Sequence, residues 1–265
     1  MYTNFYPSSR LFHGSIPKVM GTRLDALLLG DGREGLEALW DEIAAETFRL
    51  EKMLNRFDPE SALGRLNAAA AVGTVAVEDE LWSILMECGR YRELTEGCFD
   101  IALGRWAEVT FDVSARTVRL GRDAFFDLGG YAKGYAAQRI GDILVRHGVT
   151  RALVNFGDSM ALGIGTHPHG CYWPAGIDNP YTGRRLDEIR LCDAALSVSG
   201  NMPGRPAHIV RPATGRCVEG RRIVAVAAPH PVDAEVLTTA LMAAGDGVAA
   251  WSGRFEIYEC KVYDC

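Results

Sequence analysis

Apolar residues recur at helical spacing from residue 34 to about 57: Leu36, Leu39, Trp40, Ile43, Phe48, Leu50 and Leu54. A stripe of that length predicts a long amphipathic helix that must bury one face against another element. Three more helices are expected: residues 79–95, ended by Gly97; a helix opening just after Asp127-Leu128-Gly129-Gly130 and running through Val145; and residues 232–244. Between them fall strand-like stretches at 23–29, with Gly30-Asp31-Gly32 as a turn, and at 152–156, 194–199, 207–210, 223–228 and 255–258. Residues 107–120 alternate like a hairpin with FDV and TVRL as its arms. The first twenty residues read as an irregular start, and 163–185, rich in Gly, Pro and His, as turns around short strands. Helices and strands alternate irregularly among hairpin-like pairs. The expected class is therefore α+β, with mixed or antiparallel sheets and packed helices, rather than a doubly wound parallel sheet.

Composition narrows the function classes. A chain of 265 residues, 48% apolar and 23% charged, can build a sizeable core without disulfide or metal staples, and it is read as one domain over 1–265. A formal net charge of −6 argues against a nucleic-acid partner held by a broad basic surface. No apolar run approaches the roughly 20 residues of a membrane-spanning helix. The N-terminal segment lacks a charged stretch followed by an apolar one, so no secretory signal is visible. Seven scattered cysteines with no Cys-x-x-Cys pair suit reduced thiols, giving a cytoplasmic expectation, or a periplasmic one had a leader been removed.

Three segments could carry chemistry. In Phe126-Asp127-Leu128-Gly129-Gly130-Tyr131-Ala132-Lys133-Gly134-Tyr135 a strand delivers an acid, paired glycines turn the chain, and a helix opens beside a lysine. Backbone N–H groups at such a start favour anions, and Lys133 adds a charge suited to phosphate; the alternative is a plain turn. It is neither a Walker loop nor a dinucleotide fingerprint, because both glycine spacings are wrong. In Ala234-Glu235-Val236-Leu237-Thr238-Thr239, Glu235 and Thr239 are four apart and share a helical face. With nearby carbonyls they make an oxygen set that Mg²⁺ accepts; the alternative is a solvated Glu and a Thr bonding back to its own helix. In His208-Ile209-Val210-Arg211-Pro212-Ala213-Thr214-Gly215 a strand ends in a Pro-containing turn with a histidine at its head, equally readable as a satisfied strand histidine. His167-Pro168-His169 lacks companion ligands and reads as loop.

Together and in this order, these segments resemble the ApbE family, the FAD:protein FMN transferases, over about residues 20–245. Met20-Gly21-Thr22 is similar to the family's opening against the flavin. Arg56-Phe57-Asp58-Pro59-Glu60-Ser61 with Arg65-Leu66-Asn67 is similar to the stretch after its first long helix. Gly97-Cys98-Phe99-Asp100 resembles the segment lining the flavin pocket, and 127–135 matches the core signature. Asn155-Phe156-Gly157-Asp158, residues 173–180 and Ser199-Gly200 match weaker turns. The sequence departs from the family pattern at Phe57 for Tyr, Arg211 for Asp and Glu235 for Asp.

The resemblance implies a tunnelling-fold-like α+β architecture with FAD as substrate. FMN would pass to a Thr or Ser hydroxyl of an acceptor flavoprotein, and AMP would leave. It implies Mg²⁺ held by Gly130 O, Glu235, Thr238 O and the Thr239 hydroxyl. Flavin contacts would come from Met20, Phe57, Cys98, Phe99, Asp100, Asp127, Lys133, His208 and Ile209. Lys133 and His208 are the catalytic candidates, His208 for proton transfer or for steadying phosphates. Two alternatives stand beside this reading: an FAD pyrophosphatase using water as acceptor, and a non-catalytic flavin-binding protein.

Overall fold

A computed structural model describes residues 1–157, 159–204, 207–245 and 250–265; Asp158, one of the weaker family-like positions, lies outside them. In chain order the elements are β1 (Tyr2–Tyr6), β2 (Leu11–Val19), β3 (Thr22–Leu29), α1 (Arg33–Leu54), α2 (Ala62–Ala70), β4 (Val75–Ala76), α3 (Asp79–Leu94), β5 (Val109–Asp112) and β6 (Thr117–Leu120). Then follow α4 (Ala132–Arg146), β7 (Ala152–Phe156), β8 (Met160–Ile164), β9 (Trp173–Asp178), β10 (Arg185–Leu191), β11 (Ala194–Gly200), β12 (Val210–Arg211), β13 (Arg216–Cys217), β14 (Arg222–Ala228), α5 (Pro231–Ala244) and β15 (Glu259–Asp264). The α+β expectation holds.

Eight strands make one antiparallel sheet in the order β1-β2-β3-β7-β8-β11-β14-β15. Alternation assigns its two faces. Phe12, Leu24, Ala26, Leu28, Val154, Phe156, Val224 and Val226 join the large core under the helices. Leu27, Leu29, Leu153, Ala161, Leu196, Ala225 and Ala227 face the other way, where the β9–β10 hairpin covers them with Trp173, Ile177, Ile189 and Leu191. Because both faces are covered, β14 is buried along nearly its whole length.

α1, α4 and α5 lie against the first face. The expected stripe on α1 forms from Leu36, Leu39, Trp40, Ile43, Leu50 and Leu54. Phe48 departs from it and is exposed, while Thr47 takes the buried place by donating its hydroxyl to the Ile43 carbonyl at 2.8 Å. Trp40 lies flat on β2, where a Cβ at Gly14 would fall 2.4 Å from the indole, so only glycine permits this close packing. α5 is apolar almost all round and correspondingly buried. No described helix is long and apolar enough to cross a membrane.

Several expectations are corrected. The start of the chain is two paired strands: β1–β2 pairing supplies the hydrogen bonds that the Gly-, Pro- and Ser-containing sequence does not announce. The strand expected at 207–210 contracts to β12, and the final strand is displaced from 255–258 to β15, which pairs with β14. α2, β8 and β10 had no expected counterpart. All seven cysteines are free thiols, of which Cys88 is buried.

Candidate functional site

Residues 125–128 belong to no helix or sheet, and other devices hold them. Asn67, on α2, grips the backbone of Phe126 from both sides: its amide donates to the Phe126 carbonyl at 2.9 Å and its Oδ1 accepts from the Phe126 N–H at 2.8 Å. The Asp127 N–H donates to the Ile101 carbonyl at 2.7 Å. Asp127 is thus delivered by a side-chain clamp rather than by the strand that was expected. Its Oδ1 accepts from the Gly129 N–H at 2.8 Å, shaping the turn into α4, and its Oδ2 lies 2.7 Å from Arg56 Nε.

α4 opens at Tyr131–Ala132 with no side chain of its own as a cap. The cap arrives from α5. Glu235 accepts from the Gly134 N–H through Oε2 and binds Lys133 Nζ through Oε1 at 2.7 Å. Glu235 is 3% exposed, so its charge is carried by these two partners rather than by water. Lys133 also reaches the Gly129 carbonyl at 3.4 Å. It is therefore a paired cation at the start of α4 rather than the mobile one expected from sequence.

Two glycines allow the helices to approach. A Cβ at Gly134 would fall 2.8 Å from the Pro231 carbonyl and 3.0 Å from Glu235 Oε2; one at Gly130 would fall 2.7 Å from Thr239 Oγ1. Among the described residues the half-buried Thr239 hydroxyl has no hydrogen-bond partner, and it lies against Gly130. Thr238 faces the opposite way. Its buried hydroxyl donates to the Glu235 carbonyl at 3.0 Å and meets Ser199 at 2.9 Å and Ser197 at 3.0 Å on β11. This hydroxyl cluster fixes the roll of α5 on the sheet and so turns Glu235 and Thr239 toward α4.

The remaining expected residues lie in turns and loops outside α4 and α5. Met20, in the β2–β3 turn at φ 50°, donates its N–H to Glu51 Oε1 at 2.7 Å near the end of α1. Just beyond that helix end, Phe57 is 78% exposed and is linked to Asp127 through Arg56, whose guanidinium sits 4.0 Å over its ring. Cys98 and Phe99 follow α3; Phe99 is buried edge-on against Tyr91, and burial pushes the Cys98 thiol up. Asp100 is buried and accepts from the Ala102 and Gly104 N–H groups at 2.8 and 3.0 Å, with Arg92 Nε at 3.7 Å. Desolvation dominates there and raises its pKa despite those partners. The same turn meets the segment after β12, since a Cβ at Gly104 would fall 2.2 Å from the Pro212 carbonyl. His208 is exposed on the approach to β12 and is not part of a strand; Ile209 is buried and its carbonyl accepts from Val218 N at 2.7 Å. Arg211 donates through Nε to the Ala243 carbonyl at 3.0 Å, capping the end of α5.

The structure thus joins Lys133 to Glu235 and Gly130 to Thr239, and it sets Asp127 beside Arg56. Sequence reasoning gave Arg56, Asn67, Arg92 and Ser197 no role of their own; the one signal for the first two was their place within family-like segments.

An oxygen set for a cation is present in chemical kind. Among the described residues no three His, Cys, Asp or Glu side chains cluster as a metal site. A cation here would rest on one carboxylate with hydroxyl and main-chain oxygens, a set that suits Mg²⁺, which keeps several waters. The partnerless Thr239 hydroxyl, one turn from Glu235, fits that use.

Fold and site define an α+β protein whose helix start is closed by a carboxylate from the neighbouring helix. The chain belongs to the ApbE family, whose model matches residues 20–111 and 105–256. It is 26% identical over 272 residues to the FAD:protein FMN transferase of Klebsiella pneumoniae strain 342, covering 86% of this chain and 77% of that protein. To the FAD:protein FMN transferase of Treponema pallidum it is 26% identical over 261 residues, covering 79% and 72%. The solved structure of the flavin transferase ApbE from Vibrio cholerae matches with a TM-score of 0.79 at 22% identity, covering 94% of this chain and 91% of that one. The ApbE protein of Thermotoga maritima matches with a TM-score of 0.78 at 22% identity, covering 88% and 86%.

Proposed function

We propose that this chain is an FAD:protein FMN transferase. The observation that carries this reading is the meeting of Glu235 and Lys133 at the start of α4, with Thr239 against Gly130, inside a chain of the ApbE family. In the proposed reaction the hydroxyl oxygen of an acceptor Thr or Ser bonds to the FMN-side phosphorus of FAD. The bridging P–O bond breaks and AMP leaves with its electron pair, while the hydroxyl proton passes to a base or to water. The anhydride's negative oxygens repel a nucleophile, so the site must offset charge. Lys133 would supply one positive charge, and the positive end of the α4 dipole a partial one. Gly130 O, Glu235, Thr238 O and the Thr239 hydroxyl would hold Mg²⁺, which when bound offsets phosphate charge.

The other residues orient the substrate. Met20, Phe57, Cys98, Phe99, Asp100, Asp127 and Ile209 would hold the flavin half, with Phe57 offering an open ring face for stacking. His208 would take the acceptor proton or steady the phosphates. The non-catalytic reading, which rests on Phe57, Arg211 and Glu235, also draws support from this cluster, because both oxygens of Glu235 already have partners.

The test is to incubate the protein with FAD, Mg²⁺ and an acceptor flavoprotein peptide, and to analyse the products by mass spectrometry. An adduct carrying covalent FMN, with AMP released in equal amount, is expected. AMP without acceptor would make the protein a pyrophosphatase. Flavin quenching with neither adduct nor AMP across divalent cations would make it a binder.

A further inference from the structure

The loop after α1 is braced by its own side chains, which bond to its main chain. Asn55 Oδ1 accepts from the Phe57 N–H at 3.0 Å, Asp58 Oδ1 accepts from the Glu60 N–H at 2.9 Å, and the Ser61 hydroxyl donates to the Asn55 carbonyl at 2.6 Å while capping α2 at Gly64 N at 2.8 Å. This bracing holds Phe57 outward, with the half-buried Arg56 beneath its ring. Arg56 then does two things with one planar group. Its guanidinium lies 4.0 Å from the Phe57 ring centre and 5.0 Å from that of Phe125, and its Nε lies 2.7 Å from Asp127 Oδ2. Among the described residues it makes no aligned hydrogen bond, so its donors are held in place by ring contact and charge alone.

We propose that Arg56 is the positioning residue that sets both flavin-facing groups, the Phe57 ring and the Asp127 carboxylate, at one fixed separation. This inference rests on the transferase reading for the identity of the ligand. The charge pair holds the carboxylate oxygen that the Gly129 N–H leaves open, while the cation–π contact covers one face of Phe57 and leaves the other for a planar ligand. Lysine could keep the charge but not the flat contact, since the guanidinium alone can stack on a ring while facing a carboxylate.

The test begins without ligand, by amide hydrogen exchange on the full chain. Arg56→Met and Asp127→Asn are each expected to speed exchange in both 55–61 and 127–130; no change in either stretch overturns the proposal. FAD titration by flavin fluorescence follows. Arg56→Met is expected to weaken binding about tenfold, with kcat changed far less, and Arg56→Lys to recover part of the loss. Placed on Asp127→Asn, Arg56→Met is expected to add less than about twofold. An equal loss in both backgrounds overturns the link, as does unchanged affinity in Arg56→Met. A wild-type chain that binds no FAD removes the transferase reading, and the exchange arm still decides the role of Arg56.

Discussion

Glu235 holds together two helices that the sequence places a hundred residues apart. Removing its carboxylate leaves Lys133 without its partner and the Gly134 N–H without its acceptor. Glu235→Ala should therefore cost about 2–3 kcal/mol in urea unfolding, below a fully buried pair because Lys133 keeps some water, and should lose most turnover. Equal stability and normal rates in this variant would show that neither role is real. Lys133→Ala should likewise lose most turnover, as read by AMP release. Gly130→Ala drives a methyl into Thr239 and should cost about 1–3 kcal/mol; an unchanged unfolding midpoint would mean that the helices separate freely there. At this scale the turn glycines were legible from residue type and spacing, whereas the buried capping role of Glu235 was not. Nor were the partners of these residues, because nothing local ties Lys133 to a carboxylate on another helix.

The orientation of α5 depends on Thr238 and on its end cap. Thr238→Val removes the hydroxyl that Ser197 and Ser199 meet while keeping the shape, leaving those two buried or half-buried groups short of a partner. A loss of about 1–3 kcal/mol by thermal or urea unfolding is expected, with reduced FAD affinity as α5 rolls. If stability holds within experimental error, the hydroxyl cluster does not set the roll. Arg211 supports the negative end of α5 through the Ala243 carbonyl, a role consistent with the helix dipole. Most elements could be read from periodicity: α1, α3, α4 and α5 emerged within a few residues of their expected ends, as did β3, β7, β11 and β14. Of the strands not expected, β2, β8 and β10 have sequences broken by Gly, Pro or charge, while β1 is a short aromatic run just before the Pro7-Ser8-Ser9 turn. Pairing partners stabilise β2, β8 and β10 more than their own propensity does.

Across the whole molecule, the β9–β10 hairpin is tied to the far edge of the large sheet at Asp187. Its carboxylate accepts from Lys261 at 2.6 Å, from its neighbour's N–H at 2.8 Å and from the Tyr263 hydroxyl at 2.9 Å. The Lys261 contact leads in holding its pKa down to about 2. The folded value lies below the ordinary one, so this stabilisation is present above about pH 4 and is lost as pH falls toward 2. Urea midpoints measured from pH 5 to 2 should fall more steeply for wild type than for Asp187→Asn; parallel curves would show that the tether contributes nothing. The order of helix and strand patterns, the anion-favouring helix start and the Glu-Thr spacing were set by the sequence alone, since each depends on neighbours within one or two turns. The sheet order, the covering of its second face by the hairpin and the capping of α4 by Glu235 were decided only by tertiary structure. Those contacts join residues far apart in the chain, whose chemistry is complete only once the core has brought them together.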